Sequence, residues 1–343
     1  MKPNPCIGPP KRWGQAILLL IFLFSFPGPT LTHADIIYVS NWNNSTVDSF
    51  DSFTGTYFGV FAYPAHPRGT AVDSTGNVFV ASYSSGSLIE YTPSGSSSVF
   101  ATGLAYPEGL AFDSSGNLYE ADYVANTIYK YTPAGVRSVF ANTGLRAPYG
   151  LAFDSAGNLY AANNGANTIE KFTPAGVGSV FANTGLTGPI GLAFDSAGNL
   201  YAANYGGGSI EKFTAQGAGS VFATGLADPS GLAFDSAGNL FVADQWGGPT
   251  YGRIMKYTPT GVGSVFFNGY YTGPVYVAIQ PVPEPSVWIL LLLGCALLRV
   301  IRGLGYWTVP LNGIRNGVRV LPGIACSRPP SIPQSRHFAI MAG

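Results

Sequence analysis

Oxygen-bearing side chains recur along this chain at fixed spacing, and the spacing limits the chemistry they can do. Asp73, Asp113, Asp154, Asp195 and Asp235 follow one another at intervals of 40, 41, 41 and 40 residues. A catalytic site needs unlike groups, so five equivalent aspartates read as turn caps rather than as catalysts. A second periodic set is Asn41, Ser82, Asp122, Asn163, Asn204 and Asp244. A third set varies in type: Arg68, Glu108, Tyr149, Ile190, Ser230 and Val275, each directly after a proline. Several oxygens converging from these sets would suit Ca²⁺, and Glu108 could supply one of them. Other chemistry is missing. His66, beside Pro67, is the one histidine between residues 35 and 284, and no Ser-His-Asp or Cys-His set can be assembled around it. Cys6, Cys295 and Cys326 show neither zinc spacing nor a disulfide framework. No catalytic residue, metal or cofactor is assigned.

The elements that position these residues repeat with them. LAFDSAGNLYAAN at Leu151–Asn163 returns letter for letter at Leu192–Asn204. It returns with small changes at Thr70–Ser82, Leu110–Asp122 and Leu232–Asp244. Within one unit, Gly150–Phe153 reads as a short apolar strand, and Asp-Ser-Ala-Gly-Asn is turn chemistry. Leu159–Ala162 reads as a second strand and Thr168–Phe172 as an alternating third. Thr-Pro-Ala-Gly at 173–176 is another turn, and Ser179–Phe181 begins a fourth strand. Four short strands per roughly 40 residues is the signature of a propeller blade.

The repeat resembles NHL-type repeats, which run Pro-x-Gly-x-Ala-x-Asp and then Gly-x-Leu-Tyr-Val-Ala-Asp. The match covers about residues 36–280, and it implies an all-β propeller. The ends set the blade number. Ile36–Asn41 matches a second strand with no first strand before it. Pro274–Gln280 matches Pro229–Asp235, a first strand with no second after it. The two fragments make one shared blade, giving six and removing the exposed sheet edges. The Pro-x-Gly positions also invite comparison with lactonase propellers, which hold a divalent cation with Glu, Asn and Asp. Their Asn-Gly and Asp-Gly pairs are replaced here by Tyr149-Gly150, Ile190-Gly191 and Ser230-Gly231. The His-centred site of streptogramin lyases has no counterpart. A metal-dependent, lactonase-like hydrolase is therefore the alternative reading, behind a non-enzymatic binding or structural protein.

Both flanks of the repeats read as addresses. Lys2, Lys11 and Arg12 precede the apolar run Ala16–Phe26, and Thr32-His33-Ala34 offers a cut between Ala34 and Asp35. Residues 1–34 are expected to be a secretory signal peptide; an uncleaved anchor is the other reading. After the propeller (35–280), residues 281–302 carry Pro283-Glu284-Pro285, then the apolar run Val287–Leu298, then Arg299 and Arg302. This order resembles the PEP-CTERM sorting domain of exported Gram-negative bacterial proteins. The resemblance implies a membrane helix over residues 287–301 and an exosortase-type membrane protease as partner. It also implies an inner-membrane precursor whose mature form is periplasmic, cell-surface or extracellular. Residues 303–343, with four Arg, no acids and five Pro, read as a basic disordered tail.

Charge narrows the partners. All 17 acids lie between Asp35 and Glu284, with only eight Lys or Arg. An acidic propeller argues against nucleic acid. The residues just after the second strands include Trp42, Tyr83, Tyr123 and Tyr205, and Trp246 follows Gln245. Such rings beside Asn, Asp and Ser suit sugars, so exopolysaccharide is a candidate ligand and this rim a candidate carbohydrate-binding surface. The two tryptophans are expected near each other. The plainer reading is that these rings cover loop backbone.

Overall fold

The Asp-Ser-Ala-Gly-Asn segments fold locally as their composition demands. In the computed structural model, which describes residues 35–247, 252–271 and 273–282, the Asp154 Oδ1 accepts the N–H groups of Ala156 and Asn158 at 3.0 and 2.8 Å. Its Oδ2 accepts the Asn158 side-chain amide at 2.8 Å, and Gly157 takes a positive φ of 79°. Burial alone pushes the Asp154 carboxyl up, but the bonds from Asn158 and Ala156 and the nearby Lys171 hold it below the usual carboxylate value. The same cap recurs at Asp113 and Asp195. The phase-marking aspartates are structural.

These turns join strands into six four-stranded antiparallel sheets among the described residues. In one blade the order is Pro148–Phe153, Leu159–Asn163, Thr168–Phe172 and Gly178–Ala182, from axis to circumference. The shared blade runs Pro274–Gln280, Ile36–Asn41, Thr46–Asp51 and Tyr57–Ala62. Ile36 pairs with Gln280 and Val39 with Val277, antiparallel, so the two fragments close the ring as expected. We number this blade one. Blades two to six begin at Pro67, Pro107, Pro148, Pro189 and Pro229.

No blade owns a core. Each of six apolar clusters lies between two neighbours. Between blades four and five, Tyr160 and Ile169 pack with Leu192, Leu200 and Phe213. Tyr160 meets Phe181 edge-on at 4.9 Å and Phe194 of the next blade at 5.0 Å, the arrangement aromatic quadrupoles favour. Lys171 covers the same ring at 5.1 Å.

One residue breaks this pattern. Glu120 occupies the second-strand position filled elsewhere by Val39, Val80, Ala161, Ala202 and Val242. It is fully buried, and neither carboxylate oxygen has a hydrogen-bond partner. Burial first, then the charges of Asp122 and Glu108, push its carboxyl well up, against the pull of Arg137.

The expected signal peptide (1–34), Pro283, Glu284, Pro285, Arg299, Arg302, the membrane helix and the tail lie outside the described residues. Among those described, no helix is long and apolar enough to cross a membrane.

Two outcomes follow. Deleting residues 274–280 strips blade one of its inner strand and exposes the edge of Ile36–Asn41. We expect aggregation rather than a soluble protein with one cooperative melt; a sharp melt of the truncated protein would count against closure through this pairing. Replacing Glu120 with Val removes an uncompensated buried acid. An acid whose folded pKa is raised is stabilising below its unfolded value (about 4.3) and loses that stability as pH rises. We therefore expect Glu120→Val to be more stable than the parent, by about 1–3 kcal/mol at pH 8 and much less at pH 4, measured by denaturant unfolding. A uniform loss of stability at both pH values would show that the carboxyl is satisfied in solution.

Candidate functional site

The first strand of each of blades two to six is bulged just after its proline, between Pro148 and Leu151 in blade four. Two residues therefore face the axis without partners in the ladder. The second of the two is Gly69, Gly109, Gly150, Gly191 or Gly231. A Cβ on Gly150 would collide with the backbone carbonyl of Ile190 in the next blade. The glycines let the inner strands crowd together, and the preceding side chain is directed toward the channel mouth.

That places the variable set where chemistry is possible. Arg68, Tyr149, Ile190, Ser230 and Val275 line a cavity of about 260 Å³. Asn164, Tyr205 and Gln245, from the loops after second strands, complete its rim. The sixth member, Glu108, is buried at 1% exposure beside Arg68, with Nε and Oε1 3.6 Å apart. Burial pushes the Glu108 carboxyl up to about 7, with Arg68 pulling the other way. The Tyr149 hydroxyl is pushed up by burial and by the Glu108 charge, and Arg68 opposes this.

Tyr276 also lines the cavity, and sequence reasoning missed it. It stands in blade one where the other blades carry glycine, a signal visible once Pro274–Gln280 is aligned with Pro229–Phe234. Its hydroxyl is buried without a hydrogen-bond partner. Arg68 Nε and Glu108 Oε2 are buried without hydrogen bonds too, although Nε keeps its 3.6 Å ion-pair contact with Glu108 Oε1. Buried polar atoms without hydrogen bonds cost about 1–3 kcal/mol each, and three of them gather here.

The aromatic rim resolves into separate contacts. The Trp42 ring lies 4.0 Å from the Arg68 guanidinium carbon, 5.0 Å from the Tyr83 ring and 4.8 Å from His66. Tyr83 stacks on Tyr106 at 4.4 Å, and Tyr123 meets Tyr149 at 5.2 Å. The His66 Nδ1 lies 2.6 Å from the Ser84 hydroxyl. Trp246 is 52% exposed. Trp42 thus packs toward blade two, and among the described residues no ring contact joins it to Trp246. Trp42, Tyr83, Tyr123 and Tyr205 are half-buried. Residues 248–251 of the expected insertion lie outside the described chain.

The second-strand oxygens do other work. Asp122 accepts the N–H groups of Ala105, Tyr106 and Ala125. Asn163 accepts from Arg146 and donates to Gly144, and Asn204 does the same with Thr187 and Gly185. Asp244 accepts from Ala227, Asp228 and, at 2.9 Å, from Arg253. These four fasten the loops that lead into their own blades, whereas Asn41 bonds Thr46 and Asp48 of its own blade. No group of three His, Cys, Asp or Glu able to hold a metal occurs among the described residues. Asp35 is buried as well. Its carboxylate accepts Ser236 N–H at 2.6 Å and Val282 N–H at 3.2 Å, tying the first described residue to the last. Ala34 lies outside the described residues.

No family model matches the chain, and no curated protein matches it. Solved structures do. A chain of the nidogen/laminin complex aligns with a TM-score of 0.64 at 21% identity, over 72% of this chain and 98% of that one. A virginiamycin B lyase from Staphylococcus aureus gives 0.54 at 16%, over 74% and 86%. A gluconolactonase from Xanthomonas campestris gives 0.54 at 16%, over 64% and 85%. At these identities the likeness is one of fold, and it agrees with the strand order: the chain is a six-bladed β-propeller.

Proposed function

We propose that this chain is an exported, non-enzymatic propeller that binds saccharide at the axial mouth, as a component of the cell surface or extracellular polysaccharide matrix. One observation carries the reading. The blades repeat almost letter for letter, yet at the mouth they present Arg68, Tyr149, Ile190, Ser230 and Val275, with Glu108 buried behind Arg68 and tyrosines and an exposed tryptophan above. Unlike residues held on a rigid repeat are what a specific ligand requires. Asn164 and Gln245 supply amides for hydroxyl groups, and Tyr205 and Trp246 supply flat apolar faces.

Both described ends of the propeller lie at one face. Ile36 pairs with Gln280 at one end of blade one, and Asn41 with Pro274 at the other. Pro274 adjoins the cavity-lining Val275, so the chain on both flanks leaves from the face opposite the cavity. A six-residue strand separates the two faces by about 20 Å.

The Glu108 carboxyl, titrating near neutrality, favours a second reading: acid–base chemistry on the bound ligand. Lactone hydrolysis that depends on an added divalent cation and is lost in Glu108→Gln would establish that reading in place of simple binding.

Two measurements check the proposal. On an array of neutral and acidic glycans, the full chain should be retained. Trp246→Ala should lower retention several-fold with an unchanged melting temperature, because the ring is exposed. Trp42→Ala should lower both, because that ring also packs Arg68. No retention of the parent by any glycan would defeat the saccharide reading. For export, mass spectrometry of the protein secreted by a Gram-negative host should find Asp35 as the first residue and an end near Pro283-Glu284-Pro285. Glu284→Ala should leave it membrane-tethered; secreted protein that still ends at Gly343 would refute sorting.

A further inference from the structure

We propose that the axial cavity is a subsite for a carboxylate-bearing sugar residue, a hexuronate, whose carboxylate is taken by Arg68 while its ring lies against Tyr149 and Tyr205. This rests on the saccharide reading above and names its chemical class. Among the described residues, Arg68 is the single charged residue of the cavity lining. The propeller's lysines have different employment: Lys130, Lys171, Lys212 and Lys256 each pair with a turn-capping aspartate. Arg253 is bonded to Asp244. Arg68 instead lies over Trp42, with Tyr83 a further 5.3 Å contact. Stacking fixes the plane of a guanidinium and leaves its edge free for the two parallel bonds a carboxylate accepts.

The one acid beside it does not occupy that edge well. Glu108 stands 3.6 Å from Nε, and both Nε and Oε2 are buried without hydrogen bonds. The Tyr276 hydroxyl, also buried and unpartnered, supplies a donor at the same place. A phosphate dianion fits this arrangement poorly: one arginine faces it, and Glu108 opposes a second negative charge. A cavity of about 260 Å³ lies just under the ~300–1,000 Å³ of common ligand sites, which suits one sugar ring rather than an oligosaccharide.

Binding should be linked to a proton. The groups facing Glu108 are Arg68 from blade two, Tyr83 after its second strand, Glu120 from its own blade, Tyr149 from blade four and Tyr276 from blade one. An anion on Arg68 deprives Glu108 of its counter-charge, so Glu108 takes up a proton when the ligand binds. Burial already pushes the Glu108 carboxyl up to about 7. Affinity should therefore fall with rising pH above neutrality, approaching tenfold per pH unit, the limit for one linked proton.

The test is calorimetric titration of the full chain in detergent with D-glucuronate, D-glucose and inorganic phosphate at pH 6 and pH 8. We expect glucuronate to bind at least tenfold tighter than glucose at pH 6 and to weaken at pH 8, with proton uptake visible across buffers of different ionisation heat. Glu108→Gln should keep the pH 6 affinity at pH 8. Arg68→Gln should abolish the preference for glucuronate. Should that variant not fold, the parent's ligand ranking and the Glu108→Gln pH profile still decide. Equal binding of glucose and glucuronate overturns the inference and leaves the saccharide reading standing. Tighter binding of phosphate overturns it in favour of a simple anion site. Binding of neither sugar here, with no retention on the glycan array, overturns both.

Discussion

Everything at the centre of this molecule depends on how closely six inner strands can approach one axis. The backbone of one strand packs against the backbone of the next, so a side chain at the contact has no room. Gly69, Gly109, Gly150, Gly191 and Gly231 meet that constraint; on the first four, a Cβ would run into the neighbouring blade's carbonyl oxygen. The bulge that brings each glycine to the contact also turns the preceding residue toward the mouth. Packing at the axis and display of the variable residues are therefore one geometric fact. Blade one departs from it, with Tyr276 in the glycine position, and the departure gives the cavity part of its wall.

The two faces use polar groups differently. At the turn face, each aspartate is saturated by backbone, asparagine and, in four blades, lysine. Tyr160 and Tyr201 donate to Asp154 and Asp195 at 3.3 Å while Lys171 and Lys212 lie over their rings. Such networks rigidify because every member has a partner. At the mouth, Arg68, Glu108 and Tyr276 hold buried atoms without hydrogen bonds. Repetition serves the first face and its loss serves the second.

Burial of acid also sets how this fold responds to pH. Asp73, Asp113, Asp154 and Asp195 are held below their usual values by hydrogen bonds that outweigh burial. They stabilise the fold at neutral pH and lose that contribution as it falls. Glu108 and Glu120 are pushed up by burial and act in the opposite sense. The two act together, since Glu120 and Glu108 feel one another.

The repeat period, the strand spans and the shared closing blade were legible in the chain alone, because each is local. A five-residue turn announces itself by Asp, Gly and Asn, a strand by its apolar run, and a missing first strand by the start of the match at Ile36. The positions aimed at the mouth were legible for the same reason: they sit at a fixed offset from Pro and Gly. What occupies those positions could be read, but not what it does there. That Trp42 lies over Arg68 rather than beside Trp246, that Asp122 and Asn163 spend their oxygens on loop backbone, and that Glu108 is buried behind Arg68 depend on contacts between blades. So does the isolation of Glu120, which looks in sequence like one more polar residue in a strand. Burial in a propeller comes largely from the next blade in the ring, and the loop bonds of Asp122 and Asn163 reach back 17 residues; periodicity carries no information about either where the neighbour differs.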